Sequence, residues 1–200
     1  MSRPVRGDGI GRWIMKNRIL LPIIVVTIHF VCPSPSGASA IQVELIHSQD
    51  RYQIAGVYPI LLRLKISEPW YIHGTTGQGS GLLPTVLSFH KSQGLKVERI
   101  RFPVPERKKF DYTPDPIEVF SGDILVRATL VISENAPTGK QVLKGTLSYQ
   151  ACSSNVCSLP DSLPVTISVL VVPQGTAATA LNRDIFLSLT EESDVECSDP

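Results

Sequence analysis

Apolar and polar residues alternate along much of the chain after residue 40, a pattern typical of strands that are buried on one face. A clear case is the segment 122–133, in which every second residue is apolar: Ile124, Val126, Ala128, Leu130 and Ile132. The same alternation predicts strands at 41–46, 57–67, 86–90, 95–102, 122–133, 141–150 and 163–172. Between residues 41 and 172 no sustained period of 3.6 residues indicates a helix.

Turn-forming residues separate the predicted strands, with proline or glycine in each gap: 68–69, 74–81, 103–116, 135–139 and 160–161. Short strands with such turns between them predict an all-β fold, an antiparallel sandwich, over residues 41–172. The segment 69–73 allows a short helical turn, and Trp70 is expected in the core rather than in a site. Residues 173–200 are expected to form a flexible tail that allows one helical turn at 181–189.

The composition agrees with this interpretation. The chain has 200 residues, enough for one domain, and 42% of them are hydrophobic, which is enough to bury a core. The 16 prolines and 14 glycines favour many turns over long helices.

Residues 1–40 have the layout of a secretory signal peptide. Lys16 and Arg18 precede an apolar run of 14 residues, 19–32, and small residues at 38–40 form an A-x-A cleavage site. An uncleaved membrane anchor is the alternative, although the run is shorter than the ~20 residues that a spanning helix needs.

Cleavage is expected after Ala40, with Met15 as an alternative start, and the mature protein is then expected in the periplasm. Without residues 1–40 the chain has 14 basic and 17 acidic residues, a net charge of −3. This balance leaves no basic surface for phosphates and argues against nucleic acid as a partner. Membrane contact is expected only through the signal peptide.

The mature chain holds three cysteines, Cys152, Cys157 and Cys197, in a compartment where disulfides persist. The odd number leaves one thiol over, and Cys197, in an acidic and polar tail, is expected to have no role. Cys32 is removed with the signal peptide, and Val31 before it argues against lipidation of that cysteine.

Cys152 and Cys157 follow a predicted strand and are separated by only four residues. So short a loop can bring their Cα atoms within the ~4.4–6.8 Å that a disulfide needs. A bond that closes a small ring stabilises little through chain entropy, and an exposed disulfide in a tight loop is readily opened by a thiolate. These arguments leave two interpretations open, thiol–disulfide exchange and a structural staple.

A metal site is the third interpretation of this cysteine pair. Zinc would need a second pair of ligands, and the histidines that remain after cleavage, His47, His73 and His90, lack the required spacing. Copper bound by both thiolates and a third ligand such as His73 stays open. We predict neither a metal site nor a cofactor.

The residues around the cysteine pair resemble a known family. The segment 149–160, YQACSSNVCSLP, and the strand 163–169 after it are similar to the N-terminal periplasmic domain of the thiol:disulfide interchange protein DsbD. Upstream blocks resemble the same family in the same order, at 68–73 with 82–85, 102–110 and 117–123. The resemblance covers about residues 45–172, almost all of the mature domain.

The resemblance implies an immunoglobulin-like antiparallel β-sandwich with the cysteines at one edge. It implies that a thioredoxin-like domain or a membrane electron carrier reduces a Cys152–Cys157 disulfide. The domain then passes the electrons to periplasmic thiol proteins such as disulfide isomerases. By position, Cys157 forms the mixed disulfide with partners and Cys152 resolves it. Tyr71 and His73 match positions that line the site, and His73 is a candidate to assist thiolate formation.

The family also has a cap loop whose aromatic residue shields the disulfide, and Phe110 or Tyr112 takes that place here. The family's cap has acidic residues before its aromatic residue, whereas Arg107, Lys108 and Lys109 precede Phe110 in this chain. The chemistry of the cap is therefore expected to differ from the family pattern.

Three functions follow as hypotheses. The first is a relay of reducing equivalents, by a domain that acts alone or as a component of a protein-disulfide reductase. The family's full-length transporter continues into membrane helices and a thioredoxin-like domain, whereas this chain ends at Pro200, so we expect a free-standing version. The alternatives are a non-catalytic immunoglobulin-like binding module with a structural disulfide, and a copper-handling accessory protein.

Overall fold

The computed structural model describes residues 40–76 and 82–194, with side chains described as far as residue 189. Outside this range lie residues 1–39 of the predicted signal peptide, including Met15 and Cys32, the glycine-rich segment 77–81, and the last six residues with Cys197.

The described residues form twelve strands and one helix. In chain order these are β1 (Ile41–His47), β2 (Tyr52–Gln53), β3 (Gly56–Ile66), β4 (Tyr71–His73), β5 (Val86–Phe89), β6 (Leu95–Arg101), β7 (Glu106–Lys108), β8 (Ile117–Phe120), β9 (Gly122–Ile132), β10 (Gly139–Tyr149), β11 (Ala151–Cys152), β12 (Asp161–Val172) and α1 (Arg183–Asp194). All seven strands predicted from the alternation are present, each with ends within two residues of the prediction.

Two four-stranded sheets make the body of the domain. One has the strand order β1-β3-β9-β6 and the other the order β2-β12-β10-β5. Neighbouring strands pair antiparallel in both sheets, except for the short parallel pairing of β2 with β12.

The inward residues of the two sheets form one core. Leu62 of β3 and Leu130 of β9 are fully buried from one sheet, and Leu147 of β10 and Ile167 of β12 from the other. Burial of a side chain of this size stabilises the fold by ~1.5–3 kcal/mol, which is why every second position must be apolar. The predicted all-β sandwich is confirmed, and Trp70 packs partly buried against its core, as expected.

A third, smaller sheet has the order β11-β4-β8-β7 and carries three of the predicted site residues, Tyr71, His73 and Cys152. Its strand β4 occupies the segment for which the sequence allowed a helical turn, so that expectation is wrong. Ile72 of β4 is fully buried and pairs with Ala151 on one side and Phe120 on the other. Pairing with two strands that are distant in sequence outweighs the local preference of this short segment.

The chain after β12 returns to the sandwich. The backbone N–H of Leu181 donates to the Ser48 carbonyl, and the Asn182 side chain donates to the His47 carbonyl. Arg127 of β9 donates to the carbonyl of Leu189, in the middle of α1. The predicted tail thus contains a helix of 12 residues, longer than the single turn allowed at 181–189, and it is hydrogen-bonded to the domain.

Candidate redox site

Cys152 and Cys157 form a disulfide at the end of β11. The N–H of Ser158 donates to the carbonyl of Ala151, and the N–H of Ser153 donates to the carbonyl of Val156. These two bonds lie on either side of the cysteines, which therefore face each other as a non-hydrogen-bonded antiparallel pair. Such pairs have the closest Cα approach, and the two Cα atoms are 3.9 Å apart, nearer than the range expected from the sequence.

The two sulfur-bearing residues differ in their access to solvent. Cys152 is fully buried, with 0% of its surface exposed, whereas Cys157 is half-buried. The neighbours of Cys157 are open to solvent, with Val156 56% exposed and Leu159 86% exposed. A thiolate arriving from outside therefore meets the Cys157 side of the bond.

His73 lies against the buried side of the disulfide. It ends β4, and the residue is 3% exposed. Nε2 is 3.3 Å from Cys152 Sγ, and Nδ1 is 3.0 Å from the carbonyl oxygen of Leu83. Because a carbonyl oxygen only accepts hydrogen bonds, Nδ1 carries a proton, so in the neutral form of the ring Nε2 turns its lone pair toward the sulfur.

An aromatic cluster made of Tyr71, Phe110 and Tyr112 stands beside the cysteine loop. The Phe110 ring is stacked on Tyr112 with a centroid distance of 5.2 Å and meets Tyr71 edge-on at 5.6 Å. Phe110 is buried, and the Tyr112 hydroxyl donates to the carbonyl of Ser153, the residue after Cys152. Partial burial raises the pKa of Tyr112, so its hydroxyl stays protonated and able to donate.

Two of the basic residues before Phe110 contact this aromatic cluster or the loop that carries it, and we call the cluster and the loop 108–114 the cap. Lys108 Nζ lies 3.8 Å from the centroid of the Tyr71 ring and also contacts the Tyr71 hydroxyl. Lys109 Nζ donates to the carbonyls of Thr113 and Pro114 and so closes the loop that carries Phe110. These lysines act within the cap as hydrogen-bond donors and as a cation over an aromatic ring.

The structure brings all six sequence-predicted site residues into this one region, through β4, the segment 110–112, and the cysteine loop. Two further contributors, Leu83 and Ser153, had no chemical signal in the sequence, because they act through backbone carbonyls. Lys108 stood out in the sequence only as a basic residue before Phe110, and its contact with Tyr71 comes from the structure.

The nitrogen and sulfur atoms of His73, Cys152 and Cys157 lie within 4.8 Å of one another. In the disulfide the two sulfurs are bonded to each other and are not thiolates, which are the form that binds metals. The copper hypothesis and the expectation of no metal therefore both stay predictions.

These features define a class of protein, an immunoglobulin-like β-sandwich with a disulfide whose buried sulfur contacts a histidine and whose loop is hydrogen-bonded to an aromatic cap. The chain belongs to the family of the N-terminal domain of the thiol:disulfide interchange protein DsbD, whose model matches residues 42–168. The family's chemistry is thiol–disulfide interchange, its partners are thiol proteins in general, and its domain is periplasmic in its family context.

Among solved structures, the chain is similar to the reduced N-terminal domain of DsbD from Neisseria meningitidis, with 17% identity and a TM-score of 0.39. That match covers 70% of this chain and 90% of the other. A second similar structure is AggA, the major subunit of aggregative adherence fimbriae type I from Escherichia coli, with 10% identity, a TM-score of 0.33, and coverage of 66% and 94%. No curated protein matches this chain.

Within the described part of the chain, the single helix is too short and too polar to cross a membrane.

Proposed function

We propose that this domain relays reducing equivalents in the periplasm, from a thioredoxin-like domain or a membrane electron carrier to thiol proteins such as disulfide isomerases. The observation that carries the proposal is the unequal burial of the two cysteines, since only Cys157 borders open surface. A structural staple has no need for one accessible sulfur and one buried sulfur with an imidazole nitrogen beside it. Export is supported by the pattern of charges, apolar residues and small residues in 1–40.

The proposed reaction is two successive thiol–disulfide exchanges. A donor thiolate attacks Cys157 Sγ, the bond to Cys152 breaks, and Cys152 leaves with the electron pair. A second donor thiolate then attacks the donor sulfur of the mixed disulfide, which releases the oxidised donor and leaves both cysteines of the domain reduced. In the next half of the cycle the Cys157 thiolate attacks a substrate disulfide, and Cys152 resolves the mixed disulfide and frees the reduced substrate.

Tyr71, Phe110 and Tyr112 are assigned to the cap of this site. Their rings are packed together, and Tyr112 is bonded to the residue after Cys152, so the cap and the cysteine loop form one unit. Its role is to keep small thiols from the disulfide until a partner protein displaces it.

Trapping of partners tests the proposal. Cys152→Ser removes the resolving sulfur, so the mixed disulfide at Cys157 should accumulate with thioredoxin-like proteins in the periplasm. The adducts are measured by non-reducing electrophoresis and mass spectrometry of the captured chain.

Cys157→Ser is the matched control and should trap nothing, because the remaining Cys152 is buried. If Cys152→Ser captures no thioredoxin-like protein, or if both variants capture the same proteins equally, the relay is wrong. A disulfide potential below roughly −300 mV would favour the structural staple instead.

A further inference from the structure

We propose that His73 is the proton-transfer residue of Cys152. It takes the thiol proton when Cys152 resolves a mixed disulfide, and it returns a proton when Cys152 is the leaving group. This inference rests on the proposed exchange function and assigns a separate chemical role to the buried half of the site.

The contact has the geometry that such a role needs. Nε2 lies 3.3 Å from Cys152 Sγ, within reach of a hydrogen bond to sulfur. The other ring nitrogen is occupied, because Nδ1 donates to the Leu83 carbonyl. In the neutral form of the ring the free lone pair therefore lies on the sulfur side, as a base for this thiol requires.

The ring is held in place by its strand. The hydroxyl of Thr85 donates to the carbonyl of His73 at 2.6 Å, and β4 pairs with β11 on one edge and β8 on the other. In the pairing of β11 with β4, Cys152 lies opposite Tyr71. His73 follows Tyr71 by two residues and therefore lies on the same face of β4. The alignment of nitrogen and sulfur thus follows from strand pairing and does not depend on a mobile loop.

Burial makes an internal proton acceptor necessary. Cys152 is 0% exposed and His73 is 3% exposed, so water has no direct access to the sulfur. A thiolate in such surroundings is disfavoured unless a cation forms beside it. Transfer of the proton to Nε2 produces that cation, an imidazolium, in contact with the sulfur.

The resolving step balances as follows. The proton of the Cys152 thiol moves to His73 Nε2, and the Cys152 thiolate attacks Cys157 Sγ of the mixed disulfide. The Cys152–Cys157 bond forms, the bond to the substrate breaks, and the substrate leaves as a thiolate. The domain is oxidised by two electrons and the substrate disulfide is reduced by two. The imidazolium then loses its proton to solvent as the site opens.

The other charged and titratable groups on the strands around His73 are Tyr71 on β4 itself, Glu118 on β8, and Glu106, Arg107 and Lys108 on β7. Lys108 lies over the Tyr71 ring, and Glu118 accepts a hydrogen bond from Thr76. The titratable group on β11 is Cys152. Its sulfur lies at hydrogen-bond distance from Nε2 of the His73 ring.

Two-phase kinetics test the inference. The reduced protein with Cys32→Ser and Cys197→Ser is mixed with an aromatic disulfide whose released thiolate is coloured. Attack by Cys157 releases a first equivalent, and resolution by Cys152 releases a second. His73→Asn keeps a donor toward Leu83 but has no basic nitrogen. It should leave the first phase unchanged and slow the second by roughly a hundredfold or more.

His90→Asn, on an exposed histidine at the end of β5, is the matched control and should slow neither phase. If the second phase has the same rate and pH dependence with and without His73, the role is structural and the inference is overturned. Absence of the first phase in every protein would instead contradict the exchange function itself.

A titration of the Cys152 thiol requires no thiol–disulfide exchange. It therefore distinguishes failure of the His73 inference from failure of the proposed exchange function. In the Cys32→Ser, Cys157→Ser, Cys197→Ser protein, ultraviolet absorbance follows formation of the Cys152 thiolate. With His73 present it should appear at a pH lower by roughly one unit or more than with His73→Asn. The His73 ring resonances in the NMR spectrum should change over the same pH interval. Independent titration of ring and sulfur would refute the pairing.

Discussion

At the scale of single residues, the two cysteines of one bond have different chemistry because their surroundings differ. Cys152 is enclosed by β4 and by the His73 ring, while Cys157 lies at the end of a loop with exposed neighbours. A buried thiol loses its proton only with help, and an accessible sulfur is the one that a partner can attack. The difference in accessibility between the two sulfurs therefore follows from burial rather than from residue type, and the proposed division into an attacking and a resolving cysteine rests on it.

Asp50 gives a residue-scale prediction about pH. Its carboxylate accepts a hydrogen bond from the Thr179 backbone N–H at 2.8 Å, and this bond, with help from Arg51, lowers the pKa of Asp50 below 3.8. A lowered pKa in the folded state means that the bond stabilises fully above pH 3.8 and is lost as the pH falls through the lower folded value. The NMR shift of the Thr179 amide proton should follow this transition.

Asp50→Asn keeps an accepting oxygen but cannot titrate, so the Thr179 amide shift should be flat over the same acid range. A shift that titrates at the ordinary pH of an aspartate, or that titrates in the variant, would show that the carboxylate does not hold this segment.

At the scale of elements, the cap joins β7 and β8 to the cysteine loop. Three kinds of contact make it: stacked rings of Phe110 and Tyr112, the Tyr112 bond to Ser153, and Lys108 over Tyr71. An aromatic contact adds about 0.5–1.5 kcal/mol beyond its area burial. Contacts of this size would hold the proposed cap closed in the free protein and would still let a partner protein displace it.

Phe110→Ala should open this cap. Loss of the ring removes both aromatic contacts at the centre of the cluster, so small thiols should reach the disulfide more often. We expect the rate of disulfide reduction by glutathione to rise roughly tenfold. A rise of this size corresponds to lowering the free energy of the open cap, relative to the closed cap, by about 1.4 kcal/mol.

Val104→Ala, at a position 88% exposed before β7, should leave the reduction rate unchanged. Thermal unfolding must show that Phe110→Ala remains folded, and Phe110→Leu should have an intermediate rate because it restores part of the apolar volume. Equal rates in Phe110→Ala and the unaltered protein would mean that the cap does not shield the bond.

The sequence was most informative about long strands and least informative about the small sheet. In 122–133 the alternation of apolar and polar residues indicates which side chains are buried, so β9 could be predicted from residues adjacent in the chain. Strands β4, β7 and β8 have three or four residues each, too few to show a period. Ile72 and Val119 become strand residues because their partners lie far along the chain.

At the scale of the whole molecule, the segment after β12 ties the two main sheets together. Gln53 of β2 bonds to Gly175 and Thr176, and Arg127 of β9 bonds to Leu189 of α1. The segment therefore contributes to the domain although it lies beyond the family match at 42–168.

Ending the chain after residue 173 should lower the free energy of unfolding by about 1–3 kcal/mol, since each lost hydrogen bond contributes ~0.5–1.5 kcal/mol and some are exposed. Urea unfolding followed by tryptophan fluorescence measures the change. The shortened protein should still form the Cys152–Cys157 disulfide, and its Cys152→Ser variant should still trap partners, because none of the lost bonds touches that site. Unchanged stability would mean that these bonds contribute nothing in solution.

The sequence by itself determined the all-β class and the positions of the long strands, and it showed two cysteines with four residues between them as the candidate chemistry, because each of these depends on neighbours along the chain. The tertiary structure alone decided which sulfur is buried and which nitrogen lies beside it. His73 and Cys152 are 79 positions apart and meet only because β4 pairs with β11. Strand pairing over such distances is set by the burial of a shared core, and no local pattern encodes it.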